Sequence, residues 1–584
     1  MRRAKIVCTL GPASDDRQTI RELADAGMAV ARLNASHGTH EDRAELIDRI
    51  HEVDTAVDDP LSSMLDLQGP EIRTAEISEP IELSAESTVR FVEGESATAD
   101  AVGLSYPIDA VEPGDAVLLD DGRIETRVEA VDGGTVTARV VSGGELGSRK
   151  GVNIPGVDLD LDVVTARDRR DIEIAVEGEA DFVAASFVRD ADDVYAVTDA
   201  IENAGGDIPV VSKIERAGAV ENIDEIVEAS YGVMVARGDL GVECPLEDVP
   251  MVQKRIIQGA QDAGVPVITA TEMLDSMVHS RRPTRAEASD VANAVLDGTD
   301  AVMLSGETAI GDHPVRVVET MDRIVREVET SDEYAETREG RVPPAAAGSQ
   351  TEALARAARF LARDLGAAAI VAVSESGYTA RATAKFRPAV PVVATTPRDR
   401  VRRQLALSWG VDAQYAAYRE DIEGMVAAAV DAAIDAGAAE SGDTVVVLSG
   451  MMTELEGTNT TNTLKVHVAS ETVATGRSVA RGRVAGPVFR CPDGDLAGAP
   501  AGAIVVLPAT FDGEFDGDTG RIGGIVDARP GMTSYAAMIA REHGVPMISG
   551  APLPDEVADD ATVTLHADRG VVYDGDVTPR EHQR

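Results

Sequence analysis

Lysine is nearly missing. The 584-residue chain has six, Lys5, Lys150, Lys213, Lys254, Lys385 and Lys465, and arginine supplies the rest of the Lys+Arg total of 54. Against them stand 102 acidic residues, a net charge of −48. A chain of that sign repels phosphate backbones, which excludes nucleic acid as a partner. Cysteine is scarce too: Cys8, Cys244 and Cys491 lack metal-ligand spacing and give no disulfide framework, as expected in a reducing cytoplasm. No apolar run approaches a membrane span, and Met1-Arg-Arg-Ala-Lys-Ile-Val is too short and soon too polar for a signal peptide. A cytoplasmic protein with no membrane partner is therefore expected. Disorder is excluded as well, because a hydrophobic content of 44% supplies real cores.

The acid-rich, lysine-poor composition resembles that of halophilic proteins from cells with a potassium-rich cytoplasm. Such a charge repels itself and needs salt to screen it. Where lysine is rare, each survivor is a candidate for work that arginine's planar fork does not do. The candidate that organises the chain is in Pro209-Val-Val-Ser-Lys-Ile-Glu215. If Val210-Val211 begins a strand, Lys213 and Glu215 point to one face. A cation and an anion then share the end of a buried strand. The ordinary alternative is an exposed ion pair, which is worth little.

The length allows three or four domains. Candidate strands run over 5–10, 30–33, 63–67, 181–186, 210–214, 232–236, 265–269 and 301–304. Helical patterns over 17–25, 41–53, 167–176 and 220–229 fall between most of them. Eight strands alternating with helices predict an α/β fold built on a (β/α)8 TIM barrel, covering residues 1–72 and 159–340. Polar residues gather at the strands' C-terminal ends: Arg32-x-Asn34-x-Ser36, Asp66, Lys213-x-Glu215, Arg237-Gly-Asp239, Thr271-Glu272 and Ser305-Gly-Glu307. Residues 73–158 read as short strands and turns, an inserted all-β domain placed to close as a lid. After a charged, then Pro/Ala/Gly-rich connection comes a smaller α/β domain at 345–470, with strands at 369–373, 390–394 and 444–448. Its loop Ser374-Glu-Ser-Gly-Tyr-Thr379 leads into a helix and offers Ser374, Ser376, Gly377 and Thr379 to a phosphate. Ordinary capping by Ser or Thr accounts for the same residues. A fourth unit covers 475–584, with apolar runs at 503–507 and 524–526.

Several arginines, one lysine and the carboxylates of Glu215 and Asp239 make up the rim. Two carboxylates with few soft ligands suit Mg²⁺ or Mn²⁺, which keep waters and bridge to substrate oxygens. The cations around them suit phosphate. Phosphoryl transfer needs chiefly positioning and charge stabilisation, and this inventory matches it. Alone, each motif has a plain explanation: Arg-Gly-Asp is a common turn, and Asp66 a cap at a barrel strand.

Over roughly the first 470 residues the chain resembles the pyruvate kinase family. The residues that carry the resemblance are Cys8-Thr-Leu-Gly-Pro-Ala-Ser14, Ala31-Arg-Leu-Asn-Ala-Ser-His-Gly38, Leu65-Asp-Leu-Gln-Gly-Pro-Glu-Ile-Arg73 and Lys150-Gly-Val-Asn-Ile-Pro-Gly156. Ser212-Lys-Ile-Glu215, Met234-Val-Ala-Arg-Gly-Asp-Leu-Gly241, Thr269-Ala-Thr-Glu-Met-Leu274 and Arg282-Pro-Thr-Arg-Ala-Glu287 add to it. The resemblance implies transfer of phosphate from phosphoenolpyruvate to ADP, giving pyruvate and ATP. It gives Lys213 the phosphoryl group in flight and the enolate, Arg32 the phosphate, and Thr271 a share in relaying a proton to the enolate carbon. Ala236, Arg237 and Gly238, chiefly through their backbone, join Asp239 and Thr271 around phosphoenolpyruvate. Glu215 and Asp239 match the divalent-metal ligands. Asn34, Ser36, Asp66 and the carbonyl of Leu67 match those of K⁺. Asn34, His37, Arg73, Lys150 and Asn153 match the nucleotide side. A homotetramer is implied too.

The departures from the family pattern are informative. K⁺-requiring members carry Thr-Lys after the cation-site aspartate and a glutamate further on; the others carry Leu-Gln and a lysine there. Here Leu67 and Gln68 follow the second pattern and Glu71 the first. With no lysine to replace the cation, K⁺ dependence is expected. Tyr378 stands where fructose-bisphosphate-responsive members often have arginine, which leaves a sugar phosphate or a nucleoside monophosphate open as effector. The tail resembles the swivelling domain of phosphoenolpyruvate-utilising enzymes, but Tyr535 occupies the phosphohistidine position, and a phenol is no nitrogen phospho-carrier. Two other classes compete: a metal-dependent lyase or aldolase on a barrel, and a silent metabolite sensor. The first leaves the β-rich insertion, Arg73 and Lys150 unexplained; intact Lys213, Glu215, Asp239 and Thr271 argue against the second.

Overall fold

Along Lys5–Leu10 (β1), Val7 packs inside a closed ring of strands, while Ile6, Cys8 and Leu10 pack outward against helices. That two-residue period, apolar on both faces, is what a strand covered on both sides requires. The structure is a computed structural model describing residues 2–157, 159, 161–417, 421–450, 461–470 and 472–577. Asp158, the expected last residue of the lid, and residues 578–584 of the expected tail lie outside them.

Seven more parallel strands complete the ring: Val30–Asn34 (β2), Ser62–Asp66 (β3), Phe182–Ala185 (β4), Val210–Ile214 (β5), Gly232–Ala236 (β6), Val267–Ala270 (β7) and Ala301–Leu304 (β8). Each pairs with the next, and β8 closes onto β1. Val30, Met64, Phe182, Val211, Met234, Ile268 and Met303 fill the interior with Val7, so the barrel is packed rather than hollow. The expected eight-stranded barrel is therefore present, with local corrections. β7 begins at Val267 instead of 265, after Pro266, which has no N–H for a ladder. The stretch 220–229, expected as one helix, is two, Ala217–Glu221 and Ile223–Ala229, broken at Asn222.

Between β3 and β4 lies the all-β insertion, a seven-stranded sheet and a two-stranded one, with its own core around Val89, Phe91, Val117 and Val140. By compactness the chain forms two units, residues 1–359, 372–418 and 449–462, and residues 360–371, 419–448 and 463–584. In the first unit, Val392–Thr396 (β9) pairs in parallel with Val411–Tyr415 (β10). The start at Val392, not 390, again follows a proline, Pro391. This α/β segment is bolted to the barrel by Arg403–Asp181 at 2.9 Å, Arg387–Asp300 at 3.0 Å and Arg402–Asp54 at 2.5 Å. The second unit contains a mixed eight-stranded sheet and the helix Tyr535–His543, capped by Ser534. Among the described residues no helix is long and apolar enough to cross a membrane.

Candidate active site

Climbing the inward face of β5, Val211 belongs to the packed interior, Lys213 stands two residues higher and Glu215 two above that. The same step on β2 lifts Arg32 and Asn34 above Val30, and on β3 it lifts Asp66 above Met64. These side chains converge at the strands' C-terminal ends. Lys213 Nζ lies 2.7 Å from Glu215 Oε1, 2.8 Å from Ser186 Oγ and 3.4 Å from Asp66 Oδ1. Arg32 donates through Nε to Asp66 Oδ2 at 2.6 Å and through Nη1 to Thr9 Oγ1 at 2.9 Å. The other oxygen of Glu215 accepts from the Phe187 N–H at 2.7 Å. With Lys213 12% exposed and Glu215 2%, this is no surface ion pair.

Electrostatics follow from that burial. Desolvation disfavours the Lys213 ammonium, but Asp66 and Glu215 outweigh it and hold its proton well above the usual lysine range. Burial likewise pushes Asp66 up, yet Arg32 and Lys213 win and keep it below the usual carboxylate range. Asp239 goes the other way, raised to about 7 by burial and by Glu215, with Asp121 and Glu71 adding to it against Lys213. Glu215 and Asp239 thus form an anionic pair that one lysine does not neutralise. Among the described residues no group of three or more His, Cys, Asp or Glu gathers as a metal site. Two carboxylates fit a hard divalent cation that takes its remaining ligands from water and substrate.

Asp239 lies in the helix Arg237–Glu243 that starts directly from β6. The N–H of Gly238 donates to Thr271 Oγ1 at 2.9 Å, which brings the end of β6 and Thr271 together. The Arg237 side chain turns elsewhere. Its guanidinium donates to the carbonyls of Ala270 and Thr271 at 3.0 and 2.7 Å and pairs with Asp290 at 2.7 Å. It thereby props a turn in which Thr271 and Glu272 both have positive φ, 68° and 53°, a strained conformation for residues with a Cβ.

Of the residues assigned to a monovalent cation, Asn34 and Asp66 are register partners across β2 and β3, and Asn34 Oδ1 accepts from the Ser36 N–H at 3.0 Å. The Leu67 carbonyl accepts from Ser186 Oγ at 2.7 Å. The nucleotide-side residues make a second group at the base of the lid: Arg73 bridges to Gly151 and pairs with Glu71 at 2.8 Å, and Lys150 pairs with Asp120 at 2.8 Å. Asn153 bonds Glu243, while His37 is exposed past β2. In the α/β segment the loop 374–379 does join a strand to a helix, Tyr378–Lys385. There Ser374 Oγ accepts from Thr379 N at 3.4 Å, Ser376 Oγ accepts from Tyr378 N at 3.5 Å, Gly377 has φ 78°, and Thr379 Oγ1 meets Thr461 Oγ1 at 2.8 Å. Ser186 and Thr9, which bind Lys213 and Arg32, were not among the expected site residues. Their signal was available: Thr9 lies on the inward period of β1, and Ser186, one residue past β4, continues the inward period of Phe182 and Ala184.

Comparison with known proteins bears on the same residues. The model of the pyruvate kinase barrel domain matches residues 1–318, and that of the pyruvate kinase alpha/beta domain matches 352–467. The chain belongs to the pyruvate kinase family. A third model, the mobile domain of PEP-utilising enzymes, matches 499–570. Pyruvate kinase of Geobacillus stearothermophilus is 41% identical over 98% of this chain and 99% of its own length. Those of Staphylococcus epidermidis and Staphylococcus aureus are 39% identical with the same coverage. Membership carries the enzyme class, a phosphotransferase, and implies a divalent metal.

Proposed function

We propose that the barrel rim transfers the phosphoryl group of phosphoenolpyruvate to ADP, the last step of glycolysis, with Lys213 as the central catalytic group. The observation that carries this reading is a buried ammonium held between Asp66 and Glu215 at the C-terminal mouth of the barrel, with Arg32 beside it. In the reaction the bond from phosphorus to the enol oxygen breaks, a bond to a terminal oxygen of ADP forms, and the enolate takes a proton at carbon to become pyruvate. Arg32 and the backbone from Ala236 to Asp239 orient the phosphate and carboxylate. Lys213 meets the charge that grows on the transferring group and then on the enolate, where a pre-set cation in a dry site acts most strongly. The Thr271 hydroxyl, held between Ala270 O and Gly238 N, stands in the proton's path. Glu215 and Asp239 would hold a Mg²⁺ or Mn²⁺ ion, which would supply further positive charge for the transfer. Arg73, Lys150, Asn153, His37 and Asn34 face the nucleotide, and the β insertion closes to exclude water.

K⁺ belongs with Asn34, Ser36, Asp66 and the Leu67 carbonyl. Glu71, where a lysine would stand in for the ion, is itself an anion paired with Arg73. Activity is therefore expected to need K⁺; full turnover in a bulky organic cation at matched ionic strength would refute it. We read the 374–379 loop as a phosphate-bearing effector site, testable by titrating sugar phosphates and nucleoside monophosphates into the assay. The tail, with Tyr535 at the carrier position, serves structure or regulation; phosphohistidine formed there from phosphoenolpyruvate would overturn that. A cytoplasmic homotetramer completes the reading, and light scattering of the purified chain tests it.

A coupled assay tests the whole. ADP-dependent pyruvate release is expected, and Lys213→Ala should lower turnover about 10³-fold with phosphoenolpyruvate binding largely kept, because the lysine acts on charge that develops in transfer. Release without ADP, or an active Lys213→Ala enzyme, sinks the proposal.

A further inference from the structure

Under the barrel, where the helix Tyr378–Lys385 meets the loop before β7, a recess is lined by Gln261, Asp300, Arg381, Lys385, Arg387 and Ser408. It has room inside for about one water-sized particle. On the residues that line it, Nε and Nη1 of Arg387, Nε of Arg381 and Oγ of Ser408 are buried without a hydrogen-bond partner. Arg387 is 5% exposed and Ser408 1%, so solvent does not satisfy them. Ionised donors left this way cost more than neutral ones.

The charges lining the recess pair off with one exception. Arg387 Nη2 bonds Asp300 Oδ2 and the Gly298 carbonyl, both at 3.0 Å. Asp300 Oδ1 accepts from the Trp409 N–H at 3.3 Å, so both its oxygens are engaged. Lys385 is neutralised by Glu352 at 2.7 Å. Arg381 has no carboxylate partner among the described residues; its guanidinium lies 4.2 Å over the Tyr231 ring. One positive charge remains, that of Arg381, on a lining whose Arg387 and Ser408 donors lack acceptors, with the Arg387 guanidinium 4.8 Å over the Trp409 ring. A water accepts from two of them but turns its own hydrogens toward the others. An oxyanion such as phosphate needs several times the room.

We propose that this recess binds a single halide ion, chloride in a chloride medium. One spherical acceptor of unit charge satisfies Arg381, Arg387 and Ser408 together and neutralises the leftover charge. Its effect is to fasten the helix 378–385 to the barrel floor. The site is independent of the catalytic rim.

The test uses the full-length chain. Crystals transferred to bromide should give an anomalous peak within hydrogen-bonding reach of Arg387 Nε and Ser408 Oγ. The melting temperature should be higher in potassium chloride than in potassium gluconate at equal ionic strength. Ser408→Ala should weaken chloride by about tenfold, the loss of one hydrogen bond to a charged group, and Arg381→Met should abolish the chloride-specific gain. A recess that stays free of bromide overturns the proposal. So does a chloride-specific gain of equal size in wild type and both variants.

Discussion

Two buried lysines in this chain meet opposite fates. Lys213 has two carboxylates against it and keeps its proton. Lys5, 8% exposed at the start of β1, donates to the Val411 carbonyl at 2.7 Å and has no ion pair among the described residues. Burial lowers it to about 8, with Asp412 pushing back and Arg2 lowering it further. A lysine whose folded value lies below its unfolded one makes the unfolded state bind more protons between the two. Stability from this group therefore rises with pH from about 8 to about 10.5, and below 8 its charge costs about 3 kcal/mol. Lys5→Met should remove that rise. Urea midpoints of both proteins at pH 7 and pH 10 check it, and an unchanged difference between them would count against it. At this scale the sequence was informative wherever a strand's period fixes the face. Lys213 and Glu215 were read that way, while Arg32 and Asp66 stood out as polar residues at the ends of strands. Arg237 was not, because nothing in Arg-Gly-Asp says that its guanidinium reaches back to prop a turn with positive φ at Thr271 and Glu272.

The turn beyond Thr271 depends on a capping box, and this explains a motif that the sequence presented only as a resemblance. In Arg282-Pro-Thr-Arg-Ala-Glu287, Thr284 Oγ1 accepts from the Glu287 N–H at 3.2 Å, and Glu287 Oε2 accepts from the Thr284 N–H at 2.6 Å. Glu287 Oε1 also accepts from the Ser276 N–H at 2.6 Å, tying the helix Arg285–Asp297 to the short 275–278 turn. Thr284→Ala should cost about 1 kcal/mol, one lost cap. Glu287→Ala should cost about 2 kcal/mol, because it also orphans Ser276, and turnover should fall further for it. Denaturant midpoints and kcat of both variants decide this; equal effects would mean that the Ser276 tie is idle. The barrel strands were legible as short β-branched runs between helical patterns, with an error where Pro266 delays the ladder, as Pro391 does in the α/β segment. The strands at 411–415 and 562–566 were not, since polar residues interrupt their apolar runs, and the strand at 571–574 is too short to stand out.

Across the whole molecule the largest electrostatic influence is a net charge of −48, which no arrangement of local pairs removes. Many carboxylates pair with arginine at the surface, and each such pair is worth little alone. Mutual repulsion among the remainder favours the expanded chain, and it falls as the screening length shrinks from about 10 Å at 0.1 M salt to about 3 Å at 1 M. The urea midpoint should therefore climb with monovalent salt over that range. This part of the climb should be the same in potassium gluconate and sodium gluconate, because screening depends on ionic strength and not on the ion. Three effects then separate by ion: screening follows ionic strength, the recess beneath the barrel follows chloride, and turnover follows K⁺. Replacing a set of exposed acidic residues outside these arginine pairs, such as Glu79, Glu95, Glu112 and Glu225, by their amides should flatten the common climb and leave the chloride and K⁺ effects in place. A midpoint indifferent to salt, or a climb seen only with chloride, would show that self-repulsion is not what limits the fold.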